Sequence, residues 1–157
     1  MYIKENNRIE KEGDCMRTLI IYATKSGTSQ YCASLLARQI EDCAIFDLSK
    51  AEPDIAPFDT IIIGSGVRMG KLYRPVLNFI KKNEALLLEK RTAFYLCNAY
   101  PDTLQKTIDK NIPEQVAKAA IYINSFGGKA PFRAYNDANW LLGENVNGLI
   151  HAILSLS

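Results

Sequence analysis

Histidine is nearly absent from this 157-residue chain: the single copy, His151, leaves too few ligands for a histidine zinc site and makes a Ser-His triad improbable. Cysteine is scarce as well. The four copies, at positions 15, 32, 43 and 97, form no CxxC pair and no metal-ligand spacing, so free thiols in a reducing compartment are expected rather than bridges. An excess of one charge is also missing. With 19 Lys plus Arg against 17 Asp plus Glu the net charge is +2, which argues against a dedicated nucleic-acid binder and against an acidic or disordered chain. No run approaches the ~18 apolar residues of a membrane span, and residues Met1 to Met16 lack the apolar stretch of a signal peptide. The expectation is a cytoplasmic protein without an integral membrane span. What is present is 48% hydrophobic residues, enough to build the core of one ordinary domain.

Residues 1–15 hold Lys4, Arg8 and Lys11 against Glu5, Glu10, Glu12 and Asp14 with little to bury, and read as a charged, flexible tail. The domain is expected over 16–157. From Thr18 onward, short apolar runs alternate with helical periodicity, the pattern of a sheet covered on both faces. The expected strands are Thr18–Ala23, Ala44–Leu48, Thr60–Ser65, Thr92–Cys97 and Ala120–Phe126. Cys32, Leu36 and Ile40 recur every four residues and predict a helix over Ser29–Glu41. Pro75 and Pro101 suit helix starts, Pro113 interrupts the helical stretch after Pro101, and Leu142, Val146, Leu149, Ile150 and Ile153 predict a last helix over Ala138–Leu154. The segment around Pro53 and Pro57 is too broken for a long helix. The fold class is therefore α/β, a doubly wound five-stranded parallel sheet in a three-layer α/β/α arrangement.

Ligands of such sheets bind at the carboxyl ends of the strands, so three loops carry the candidate site. The first is Thr24, Lys25, Ser26, Gly27, Thr28 and Ser29. Its short hydroxyl side chains around a glycine at a helix start suit a phosphate, or a plain Ser/Thr cap after a tight turn. The second is Gly64, Ser65, Gly66, Val67, Arg68, Met69 and Gly70, where three glycines would admit a flat ligand and allow peptides to flip. Its third glycine falls one place late for a dinucleotide fingerprint. The third is Cys97, Asn98, Ala99 and Tyr100. Tyr100 would stack on an aromatic ligand or pack on the next helix, with Asn98 or backbone groups at the ligand's polar edge. Cys97 reads as a packed thiol, because no second cysteine stands near it in sequence. Trp140 reads as docking the last helix.

The order Thr24-Lys25-Ser26-Gly27-Thr28-Ser29 resembles the phosphate pattern of the flavodoxin family. Thr18–Gln30, Asp59–Asn83 and the strand before Cys97 resemble more closely its oxidoreductases of the menaquinone-dependent protoporphyrinogen oxidase type, above all through Ile63-Gly64-Ser65-Gly66-Val67-Arg68-Met69-Gly70 and Phe79-Ile80-Lys81-Lys82. The resemblance implies strand order 2-1-3-4-5 and noncovalent FMN, with its phosphate on Thr24–Ser29 and its ring between the other two loops. It also implies a backbone carbonyl around Gly64–Gly66 that flips toward the flavin N5. The expected function is an FMN-dependent oxidoreductase acting on a quinone or another organic substrate. The alternative is a shuttle between redox partner proteins. Near-neutral charge leans toward the enzyme, since shuttles of this family are strongly acidic. The short stretch from Gly127-Gly128 to Trp140 departs from the protoporphyrinogen oxidases and leaves that substrate open. A flavin-free, receiver-like interaction domain would need acidic residues where this chain has Tyr22-Ala23-Thr24 and Gly64-Ser65-Gly66.

Overall fold

All six residues of β1 (Thr18–Ala23) are buried and five of them are hydrophobic, as suits a strand covered on both faces. The computed structural model describes residues 17–130, 133–135 and 138–155, so the expected tail over 1–15 and the domain start at Met16 lie outside the described residues. β1 is followed by α1 (Thr28–Gln39), β2 (Cys43–Asp47), β3 (Thr60–Arg68), β4 (Lys71–Leu72), α2 (Arg74–Glu89) and β5 (Arg91–Cys97). A short 3-10 turn at Pro101–Thr103 then leads into α3 (Leu104–Asn111), α4 (Glu114–Ala119), β6 (Tyr122–Ser125) and α5 (Gly143–Leu154).

Five strands run parallel in the order β2-β1-β3-β5-β6, and β4 adds an antiparallel hairpin partner to β3 alone. Setting β4 aside, this is the expected order, and it makes the gap between β1 and β3 the place where the winding reverses. Period-two alternation divides the core. Leu19, Ile21, Ile61, Ile63, Phe94 and Leu96 face α2, α3 and α4; Ile20, Tyr22, Ile62, Ala93, Tyr95 and Cys97 face α1 and α5. Leu36, fully buried on α1, alone removes enough apolar surface for about 1.5–3 kcal/mol.

Several boundaries differ from expectation for local reasons. β6 starts at Tyr122 because Ala120 closes α4, its N–H donating to Val116 O and Ala117 O. The last helix starts at Gly143 instead of Ala138. Ala138–Trp140 form a turn closed by the Leu141 N–H donating to Ala138 O, and Leu141 then bridges Gly127 while the Leu142 N–H donates to Phe126 O, which ties this stretch to the end of β6. Trp140 therefore precedes α5 and meets Tyr31 of α1 edge to face, with ring centroids 5.7 Å apart. β3 runs on to Arg68, so most of the expected second loop is strand.

Candidate functional site

The first loop leaves β1 at Ala23 and turns into α1 at Gly27, whose φ of +91° lies in the left-handed region that glycine enters without steric cost. The Gly27 N–H donates to Thr24 Oγ1 at 2.8 Å, and the hydroxyls of Ser26 and Thr28 lie 3.2 Å apart. The helix has no side-chain cap and no acidic residue in its first turn. The first N–H groups of α1 thus have no side-chain acceptor among the described residues, and they stand beside three hydroxyl groups and the exposed Lys25. Ser29 is fully buried, and its Oγ has no hydrogen-bond partner among the described residues.

The second segment divides in two. Gly64 and Gly66 pair with Tyr95 and Cys97 in the β3–β5 ladder, and Gly64 pairs with Tyr22 as well. A peptide flip at Gly64–Gly66 would break that ladder, which opposes the flip expected there. The space left by the two glycines is also already filled. A Cβ on Gly64 would overlap the Tyr95 ring, and one on Gly66 would come within 2.6 Å of the Tyr73 ring. Ser65 is equally committed, accepting from Tyr73 N–H and donating to Gly66 O. What reaches solvent is the hairpin tip: Val67 half-buried, Arg68 exposed, and Met69-Gly70 between the paired residues Arg68 and Lys71. Both tip residues have positive φ, +53° at Met69 and +78° at Gly70, as a two-residue type I′ hairpin requires. Met69 is 90% exposed. Asn111 of α3 braces the tip, donating from Nδ2 to Gly70 O and accepting the Leu72 N–H.

In the third loop Asn98 is buried. Its Oδ1 accepts the Tyr100 N–H and its Nδ2 donates to Thr103 Oγ1, so its amide shapes the loop. Tyr100 is 56% exposed and Ala99 half-buried. Around the same end of the sheet stand Lys25, Arg68, Lys71, Arg74 and Lys110, none of them in an ion pair among the described residues.

Two features here escape a linear reading. Tyr73 links all three loops: it covers Gly66, carries the Lys25 Nζ 5.0 Å from its ring centre, and has its phenol pushed up by burial and by Cys97, against Arg68, which lowers it. The second is a cysteine pair. Cys32 Sγ and Cys97 Sγ lie 3.9 Å apart across 65 positions of sequence. A clue lay in the strand alternation, which sends Tyr95 and Cys97 to the α1 side, where Cys32 begins the inward stripe.

The family model described as "Flavodoxin domain" matches residues 19–140. Protoporphyrinogen IX dehydrogenase [quinone] of Escherichia coli (strain K12) is 31% identical over 88 residues, 53% of this chain and 49% of that protein, so the match spans about half the length of that curated relative. Flavodoxin 2 from Bacillus cereus superposes with a TM-score of 0.62 at 18% identity, covering 90% of this chain and 99% of that one. The flavoprotein from Lactobacillus acidophilus NCFM, solved in complex with FMN, gives 0.57 at 17% identity over 71% of this chain and 93% of that one. With the β2-β1-β3-β5-β6 sheet and an open helix start after β1, the match over most of its length places this chain in the flavodoxin domain family.

Proposed function

We propose that this chain binds FMN noncovalently and acts as an oxidoreductase that passes electrons between the flavin and a quinone or another organic substrate. The observation that carries the reading is the uncapped start of α1, where free N–H groups and the Thr24, Ser26 and Thr28 hydroxyls surround a glycine with positive φ. A terminal phosphate fits that donor set, since it is the acceptor the helix lacks and the helix dipole favours its charge. Lys25, Gly27 and Ser29 complete the phosphate loop in this proposal. Val67, Arg68, Met69 and Gly70 of the hairpin tip and Ala99 and Tyr100 of the third loop flank the flavin ring. Gly64, Ser65, Gly66, Cys97 and Asn98 support those surfaces from beneath.

Bound flavin would supply the electron chemistry, and the chain would need no acid or base of its own for it. Its residues would hold the phosphate, orient the ring and set the local charge. The unpaired cations at this end favour an organic substrate over an exchange of electrons between protein partners, which is the second reading. The relative's name, which includes a quinone, supports the same choice of substrate class. A cytoplasmic location goes with the three free thiols among the described residues.

The test is a titration of flavin-free protein with FMN, FAD and riboflavin, followed by a quinone reductase screen. FMN should bind far more tightly than the other two, and the loaded protein should reduce quinones. Equal affinity for FMN and riboflavin would remove the phosphate role of the first loop. No flavin binding at all would leave the interaction-domain reading instead.

A further inference from the structure

Cys32 opens the second turn of α1 and Cys97 closes β5, so the pair lies beneath two of the segments assigned above to the flavin. Thr28 and Ser29 are one turn before Cys32. Asn98 to Tyr100 follow Cys97 directly. The two sulfurs are in hydrogen-bond contact at 3.9 Å, with Cys32 fully buried and Cys97 only 5% exposed. They are also unequal. The Cys97 thiol is lowered chiefly by its hydrogen bond with Cys32, against the opposing effect of burial. Cys32 is pushed strongly up by the same contact and by burial. In this pair Cys97, at the end of β5 beside the first turns of α1, is assigned the attacking thiolate, and Cys32, in contact with it, is the thiol placed to resolve it. Cys43 is a poor competitor, since burial and the nearby Asp42 push its thiol up to about 11.

We propose that Cys32 and Cys97 are a peroxide-responsive dithiol that closes to a disulfide beneath the flavin loops, so that oxidation and flavin loading oppose each other. The opposition rests on the FMN reading above, and the disulfide does not. A hydroperoxide is the oxidant class that suits so enclosed a pair, hydrogen peroxide being the smallest. The Cys97 thiolate attacks one peroxide oxygen, the O–O bond breaks, and Cys97 becomes a sulfenic acid as hydroxide leaves. The Cys32 sulfur then attacks the Cys97 sulfur, the S–O bond breaks, and water departs with the Cys32 proton. The two thiols have lost two electrons and two protons, and the peroxide has become two waters.

A bonded pair needs sulfurs about 2.05 Å apart, so they must close by roughly 2 Å from their separation here. That movement is shared by the first turns of α1 and the end of β5, which displaces both attached loops. In the other direction, a phosphate at the start of α1 opposes a thiolate on Cys97 and slows its oxidation. Coupling of this kind is reciprocal.

The experiment uses the reduced full chain, treated with graded hydrogen peroxide, alkylated, and digested with trypsin. Cys15 falls in the peptide 12–17, Cys32 in 26–38, Cys43 in 39–50 and Cys97 in 92–106, so each pairing has its own mass. The expected result is a cross-link of 26–38 to 92–106 that forms before Cys43 reacts, reverses with dithiothreitol, and forms more slowly with FMN present. The same oxidised sample should bind FMN about fivefold more weakly or worse. In Cys32→Ala the cross-link should vanish and dimedone should label Cys97 instead. If Cys32 and Cys97 stay alkylatable at peroxide levels that oxidise Cys43, the proposal is overturned. A cross-link that leaves FMN affinity unchanged overturns the opposition. Failure of the reduced protein to bind FMN would sink the functional reading and the opposition together, while the peptide map still decides the disulfide.

Discussion

The two ends of the sheet are built on opposite plans. At the amino end the loops are tied down by specific bonds. The Arg17 N–H donates to Asp59 Oδ2, Lys90 Nζ to Phe58 O at 2.7 Å, and Arg91 to Ile153 O near the end of α5 at 2.7 Å. At the carboxyl end α1 starts without a side-chain cap, Met69 stands exposed in a left-handed conformation, and the cations make no ion pair among the described residues. A helix start left without a cap and exposed cations without ion pairs, gathered at one end, are what a ligand site leaves in a stable domain. The amino end should govern stability, and the carboxyl end should govern binding.

Gly64 marks the border between the two plans, and the largest effect is expected there. Gly64→Ala should cost about 3 kcal/mol or more, because a Cβ would overlap the fully buried Tyr95 ring, whose hydroxyl donates to Ser29 O. Denaturant unfolding measures it, and Gly64→Ala combined with Tyr95→Leu should recover part of the loss. A harmless Gly64→Ala would return this residue to the ligand surface.

Next in size is Ser26→Ala, which removes a donor to a charged phosphate. FMN binding should weaken by about 1.5–3 kcal/mol. Riboflavin affinity and the melting temperature of the flavin-free protein should stay as they are. Equal weakening toward both flavins would erase the distinction between the ends. The converse case is Arg91→Met, expected to lower stability by about 1 kcal/mol and to leave FMN affinity alone. The loss is held down because Nε and Nη1 of Arg91 are buried without partners, a desolvation cost that the substitution removes. A urea midpoint that did not fall would remove Arg91 from the stabilising end.

The smallest change should be a gain. Met69→Asn would place Asn-Gly in the type I′ turn and relieve a left-handed methionine, stabilising the domain by about 0.5–1 kcal/mol. A matching thermal shift would show that the open end retains strain. A loss would mean that the Met69 side chain contributes packing despite its exposure.

Much of this division was legible in the sequence. β1 has the expected bounds, the helix start at Pro75 and the break at Pro113 stand, and the order of the parallel strands is the expected one. The phosphate-type loop stood out because a glycine among hydroxyl residues at a strand-to-helix junction is a local signal. The glycines of β3 were ambiguous in the sequence, because the same residue serves for close ligand approach and for admitting a neighbour's ring. Only the β3–β5 register shows that Tyr95 lies across Gly64.

The sequence by itself determined the alternation of strands and helices, their faces and the place of the first loop, since burial periodicity and capping chemistry are written within a few residues. Tertiary structure alone decided that Tyr73 covers Gly66, that Met69-Gly70 forms a hairpin tip braced by Asn111, and that Cys32 meets Cys97. Those contacts join side chains far apart in the chain. They depend on strand register, on the seating of α1 over the sheet and on the direction each side chain takes, and no local pattern carries that information.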